Sequence, residues 1–321
     1  MIFLKRNILL PLISCNFFMS QFSYAKTEKI KIVTSIPYLS DLVRQTTCHS
    51  KAIELNNLIP YGSDPHSFHM TKNERISIEN ANLVIIIGAD FEPWAHKIRK
   101  SNKLKWLVVT EGMELKKIAD EKQEHSPHNH PHEHEHEHHN HEHNHLEYDP
   151  HIWQSPLRTK LAAKKIASEL KKLLPAESKI IEGCTKNYIN TIDQEVNKLK
   201  KQLDTIPINK RKLATNHDAL GYFASEFGLT IKSIVGLSDE AAPTAARLKE
   251  IINEIKQENI NALFLESTGN MRNIKTVSNE TGVKIGGTLY SDSLGPKGSE
   301  AETTIGMWQI NIKTILDSLK I

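Results

Sequence analysis

An α/β fold of two parallel-sheet lobes joined by a long linking helix is predicted by two features of the sequence. In each half of the chain, short apolar runs alternate with stretches of helical periodicity, and a long amphipathic stretch separates the halves. Strands that alternate with helices pair in parallel, because each crossover must carry the chain back along the sheet, and the helices then cover both faces.

In the first half, residues 30–35, 52–58, 83–87 and 106–109 read as strands; 83–88 is a buried strand, too short to cross a bilayer. Ala162, Ile166, Leu170 and Leu173 then mark one amphipathic helix, and Ile181, Tyr188, Ile192, Val196, Leu199 and Leu203 mark a longer one. Nearly thirty residues at about 1.5 Å each make a rod on the order of 40 Å, enough to span the molecule. In the second half, 212–216, 232–235, 262–266 and 284–290 read as strands, with helices near 219–227, 244–257 and 270–280. A closing helix carries Ile305, Trp308, Ile312, Ile315 and Leu319. The halves share a layout without a residue-level repeat. The resulting division is a leader over 1–25, an N-terminal lobe over 26–120, a loop over 121–148, a return and linking helix over 149–205, and a C-terminal lobe over 206–321.

Lys and Arg number 41 against 38 Asp and Glu, and the lysines lie along helical stretches that read as solvated faces, so no nucleic-acid role is implied. The N-terminus runs from Lys5 and Arg6 through an apolar stretch to Ser23-Tyr24-Ala25, the order of a secretory signal peptide cleaved before Lys26. Leu12-Ile13-Ser14-Cys15 also fits a bacterial lipobox, but the apolar run continues past it where a polar tether would begin. Soluble export to the periplasm is the preferred reading, with anchoring through Cys15 as its alternative. Cys48 and Cys184 then remain in an oxidising compartment, where they could form one disulfide or stand as separate buried thiols.

Between residues 125 and 145 lie eleven of the seventeen histidines: His125, His128, His130, His132, His134, His136, His138, His139, His141, His143 and His145. Glu and Asn are interleaved with them, and nothing apolar is present to offset the entropy of ordering the tract. A solvated loop is expected. Imidazoles beside carboxylates offer many weak sites for zinc, copper or nickel.

Four further residues sit just past predicted strands or at the end of the tract. His66 lies in Asp64-Pro65-His66, His151 in Asp149-Pro150-His151, His217 in Asn216-His217-Asp218, and Asp292 in Tyr290-Ser291-Asp292. In open parallel sheets ligands bind at the carboxyl ends of strands, so these positions can converge on a cleft between lobes. Three imidazoles and one carboxylate complete a tetrahedral zinc sphere. Each Asp-Pro-His turn is stiffened by its proline. His49, His69 and His96 lie outside such turns and are assigned to the surface.

The segments DPHSF (64–68), GADFEPW (88–94), DPHIW (149–153), NHDALGYFASEFGL (216–229) and LESTGNMRNIKTVSNETGVKIGGTLYSDSLG (265–295) resemble the periplasmic metal-binding receptors of bacterial zinc and manganese ABC transporters. The resemblance spans essentially the whole mature chain. It implies two lobes on a rigid helix, a metal in the cleft held by His66, His151, His217 and Asp292, and delivery to an inner-membrane ABC permease. It also implies a monomeric binding protein that takes no small molecule beyond the ion. Manganese-type members carry Glu at the position of His217, so the nitrogen-rich set here points to Zn(2+), as does the tract. The block 265–295 also resembles manganese-type members, and the second lobe lacks the cysteine pair of some zinc receptors.

Three other readings compete: a zinc hydrolase, a surface-anchored adhesin on the same fold, and a copper or nickel chaperone using the tract alone. The hydrolase fails if Asp292 occupies the position a water would need, and neither HExxH nor GxSxG is present. With three histidines of ordinary pKa, protons should compete with the metal below about pH 6.

Overall fold

The structure, a computed structural model, describes residues 28–101, 104–118, 147–237 and 243–320. The leader, the Cys15 lipobox and the histidines from His125 to His145 lie outside the described residues.

Two four-stranded parallel sheets form the two lobes. The first comprises β1 (Ile30–Thr34), β2 (Ile53–Asn57), β3 (Leu83–Ile86) and β4 (Trp106–Val108) in the order β2-β1-β3-β4. Helices α1 (Pro37–Thr46), α2 (Lys72–Glu79) and α3 (Pro93–Ser101) connect them. The second comprises β5 (Lys212–Thr215), β6 (Thr230–Ser233), β7 (Ala262–Glu266) and β8 (Ile285–Leu289) in the order β6-β5-β7-β8. Its helices are α6 (Gly221–Phe227), α7 (Ala245–Gln257), α8 (Met271–Thr281) and α9 (Thr304–Leu319). The shared layout is therefore a shared strand order. β6 corrects the expected 232–235 strand by two residues. Gly228 ends α6 in the left-handed conformation, at φ 67, and turns the chain so early that Thr230 already pairs with Lys212. Ile234 and Val235 are apolar, but their N–H groups bond Asn216 in a bend beyond the strand.

Between the lobes run α4 (Pro156–Leu173) and α5 (Ser178–Leu203). The Ser155 side chain caps α4, Pro156 fits the first turn, and Lys171 and Lys172 sit at its negative end. Its buried stripe of Ala162, Ala163, Ile166, Ala167 and Leu170 uses small side chains, which let α5 pack close. With 26 residues α5 is about 39 Å long, the expected rod. Ile181, Tyr188, Ile192, Leu199 and Leu203 form its buried stripe.

One continuous apolar cluster joins the first sheet, α4, α5 and the near side of the second lobe through Trp153, Phe223 and Trp308. A smaller cluster with Ile251, Ile255, Ile274 and Val277 fills the far side of the second sheet. Cys48, just past α1, is bonded to Cys184 on α5 with Cα atoms 5.7 Å apart, so the first lobe is tied covalently to the rod. Asp41 of α1 accepts hydrogen bonds from the N–H and hydroxyl of Thr304 at 2.8 and 2.7 Å, which fastens the first lobe to the start of α9.

Candidate metal centre

The loops after β2, β5 and β8, and the segment leading into α4, bring His66, His217, Asp292 and His151 together. One ligand atom from each lies within 4.8 Å of every other. The three imidazoles surround the carboxylate, with ring centroids 5.7, 6.0 and 5.8 Å apart. Asp292 Oδ1 is 3.2 Å from His217 Nε2, 3.5 Å from His151 Nε2 and 3.9 Å from His66 Nε2. A tetrahedral ion with bonds of about 2.0–2.1 Å has ligand edges of about 3.3 Å, so this spacing suits a small divalent metal. Nε2 of His66 and of His151 are buried without a hydrogen-bond partner, a cost that an ion among the four side chains would offset. His49, His69 and His96 are exposed, and His96 pairs with Asp90 at 3.2 Å.

Each of the four clustered side chains is held by neighbours. In both Asp-Pro-His turns the aspartate accepts the histidine N–H, Asp64 at 2.8 Å and Asp149 at 3.0 Å, so the carboxylate as well as the proline shapes the turn. Asp149 Oδ1 also lies 2.8 Å from His151 Nδ1, which orients the ring. Tyr222 of α6 braces this aspartate by donating to its carbonyl at 2.9 Å. Gly221 leaves room for it, since a Cβ there would come within 3.3 Å of Asp149 Oδ2. The loop of Asp292 is pinned by Trp153 Nε1 and Gln154 Nε2, which donate to the Ser291 carbonyl at 2.5 and 2.6 Å. Thr268 donates to Asp292 Oδ2 at 3.3 Å. Glu266, at the end of β7, is buried against His217, with Oε2 2.5 Å from Nδ1. Neither Glu266 nor Thr268 is among the residues picked out by the sequence. The rule that found His217 and Asp292, polar residues at strand ends, applies equally to LEST at 265–268.

The charges follow the geometry. Burial lowers the pKa of His66 to about 4 against the pull of Asp292, and the other two imidazoles act in the same direction as burial. For His151, burial acts downward, but Asp149 and Asp292 overcome it and raise the value to about 9. His217 is raised well above its ordinary value against burial, by Asp292 and Glu266. Asp292 would be raised by burial, yet His217 and His151 hold it well below the usual carboxylate range. The expected onset of proton competition below about pH 6 therefore moves up, because the carboxylates shift His151 and His217 toward the protonated form.

A family model described as zinc-uptake complex component A, periplasmic (ZnuA), matches residues 32–318. The chain belongs to this family. As a ZnuA-family protein it is a metal-binding receptor that works with an ABC permease, and it is not an enzyme. Its relatives include the manganese ABC transporter substrate-binding lipoprotein PsaA of Streptococcus mitis, 23% identical over 92% of this chain and 91% of that protein. The zinc-binding protein TroA of Treponema pallidum is 26% identical over 92% of this chain and 90% of its own. The solved structure of the periplasmic zinc-binding protein TroA superposes with a TM-score of 0.78 at 25% identity, covering 91% of this chain and 99% of that one. The two-lobed fold is thus the TroA-like fold, with the four residues clustered between the lobes.

Proposed function

We propose that this protein captures zinc with high affinity in the periplasm, through His66, His151, His217 and Asp292, and delivers it to an inner-membrane permease for import. The observation that carries the reading is the convergence of three imidazoles and a single carboxylate within 4.8 Å. A nitrogen-rich, four-ligand set suits zinc, whereas manganese prefers more oxygen donors and more ligands. The histidines of 125–145 serve as weaker collectors that raise the zinc concentration near the cleft. Export by cleavage before Lys26 and a monomeric state belong to the same reading.

Manganese is the second reading, favoured by the naming of PsaA and of MntA of Bacillus subtilis as manganese-binding lipoproteins. The experiment is the metal content of untagged, full-length protein from cells grown with zinc and manganese both limiting, followed by competition between the two ions. Zinc held at one tight equivalent and not displaced by excess manganese is the expected result. Manganese retained against equimolar zinc would overturn it.

A further inference from the structure

We propose that Glu266 is a positioning residue that fixes the ring of His217 so that Nε2 faces the metal. This rests on the reading of the four residues as ligands. Glu266 lies at the end of β7, 49 residues from His217 in sequence, and its side chain is fully buried. Its Oε1 accepts the backbone N–H of His217 at 2.9 Å, while Oε2 stands 2.5 Å from Nδ1 of the same residue. One carboxylate therefore hydrogen-bonds the backbone and stands as a close charge partner to the ring, without hydrogen-bond geometry at Nδ1. A carboxylate at this distance favours the tautomer protonated on Nδ1, which leaves the lone pair of Nε2 for the ion and makes that nitrogen a stronger donor.

His151 has a comparable carboxylate from within its own turn, there with a hydrogen bond to Nδ1. Asp149, two residues upstream, takes both its N–H and Nδ1 through Oδ1, at 3.0 and 2.8 Å. The position two residues before His217 is Thr215, whose hydroxyl donates to the His217 carbonyl at 3.2 Å and leaves the ring unsupported. Glu266 supplies from a neighbouring strand what the Asp-Pro-His turn supplies locally. Only a carboxylate offers acceptors to both donors, since an amide must turn its NH2 toward one of them.

The test is a double-mutant cycle on the full chain, reading the tightest zinc site by competition with a chelator that keeps weaker sites empty. Glu266→Gln should weaken zinc binding roughly 10–100-fold. In a His217→Ala background the same substitution should change affinity by no more than about twofold, because its route to the metal is gone. A purely structural role would cost the same in both backgrounds. That equality, or full affinity in Glu266→Gln alone, would overturn the assignment. Glu266→Asp keeps the charge but draws the oxygens back from the ring; it should fold and bind with intermediate affinity, and it carries the cycle if the Gln variant does not fold. If His217→Ala itself leaves the tight site intact, the ligand reading fails and the positioning role falls with it. The two failures are thereby told apart.

Discussion

His66 and Asp292 meet across the cleft, Nε2 to Oδ1 at 3.9 Å, although one follows β2 of the first lobe and the other β8 of the second. Loss of either should open the metal sphere. His66→Ala and Asp292→Asn are expected to weaken zinc binding by more than the roughly 10–100-fold typical of outer hydrogen-bond partners. His49→Ala and His96→Ala should leave the tight site unchanged. Competition titration of the four variants checks this, and equal losses in all four would remove the site assignment.

Metal uptake should expel protons at neutral pH. A ligating imidazole must be neutral, and His151, raised to about 9, is protonated in the metal-free protein below that value. His217 is shifted upward too, whereas His66 at about 4 has already lost its proton. Each zinc should therefore displace at least the His151 proton near pH 7, and affinity should climb with pH through neutrality. Calorimetry in buffers of different ionisation enthalpy counts the protons. A release of less than one would contradict the charge arrangement described above.

The Cys48–Cys184 bond closes a loop across a sequence separation of 136 residues. Replacing both cysteines by Ser is expected to destabilise the protein by about 2–5 kcal/mol, chiefly by freeing the unfolded chain. Because the bond joins the turn after α1 to α5, away from the four clustered residues, zinc affinity should hold. Thermal unfolding with parallel zinc titration separates the two effects.

Deleting 125–145 should remove weak zinc sites and spare the tight one. All four clustered residues lie outside that stretch. The chain leaves and re-enters at adjacent points, with Lys117 bridged to Tyr148 and Ile118 N–H donating to the Glu147 carbonyl at 3.1 Å, so a short turn can close the gap. Equilibrium dialysis of the deleted protein should give one equivalent. Loss of that equivalent would mean the tract supplies a primary ligand.

Much of this molecule is readable along the chain because the relevant forces are local. Apolar runs of strand length, the stripe from Ile181 to Leu203 and the cap at Ser155 each encode an element without reference to anything distant. The Asp-Pro-His turns are local as well: Asp64 and Asp149 bond the N–H two residues on, so His66 and His151 could be picked out by motif. The edges of β6 were less legible, since Ile234 and Val235 have strand-like side chains and only the turn at Gly228 starts the pairing early.

The α/β class, the linking helix and the chemical types of the four clustered residues are all legible in the order of residues along the chain. Tertiary structure alone decided three things: that Cys48 meets Cys184, that Glu266 reaches His217 from another strand, and that burial among carboxylates drives the His66 and His151 pKa values apart. The physical reason is common to all three. Proximity between distant segments, and the dielectric and charge around a buried group, are properties of the packed lobes and have no counterpart in the neighbouring residues of the chain.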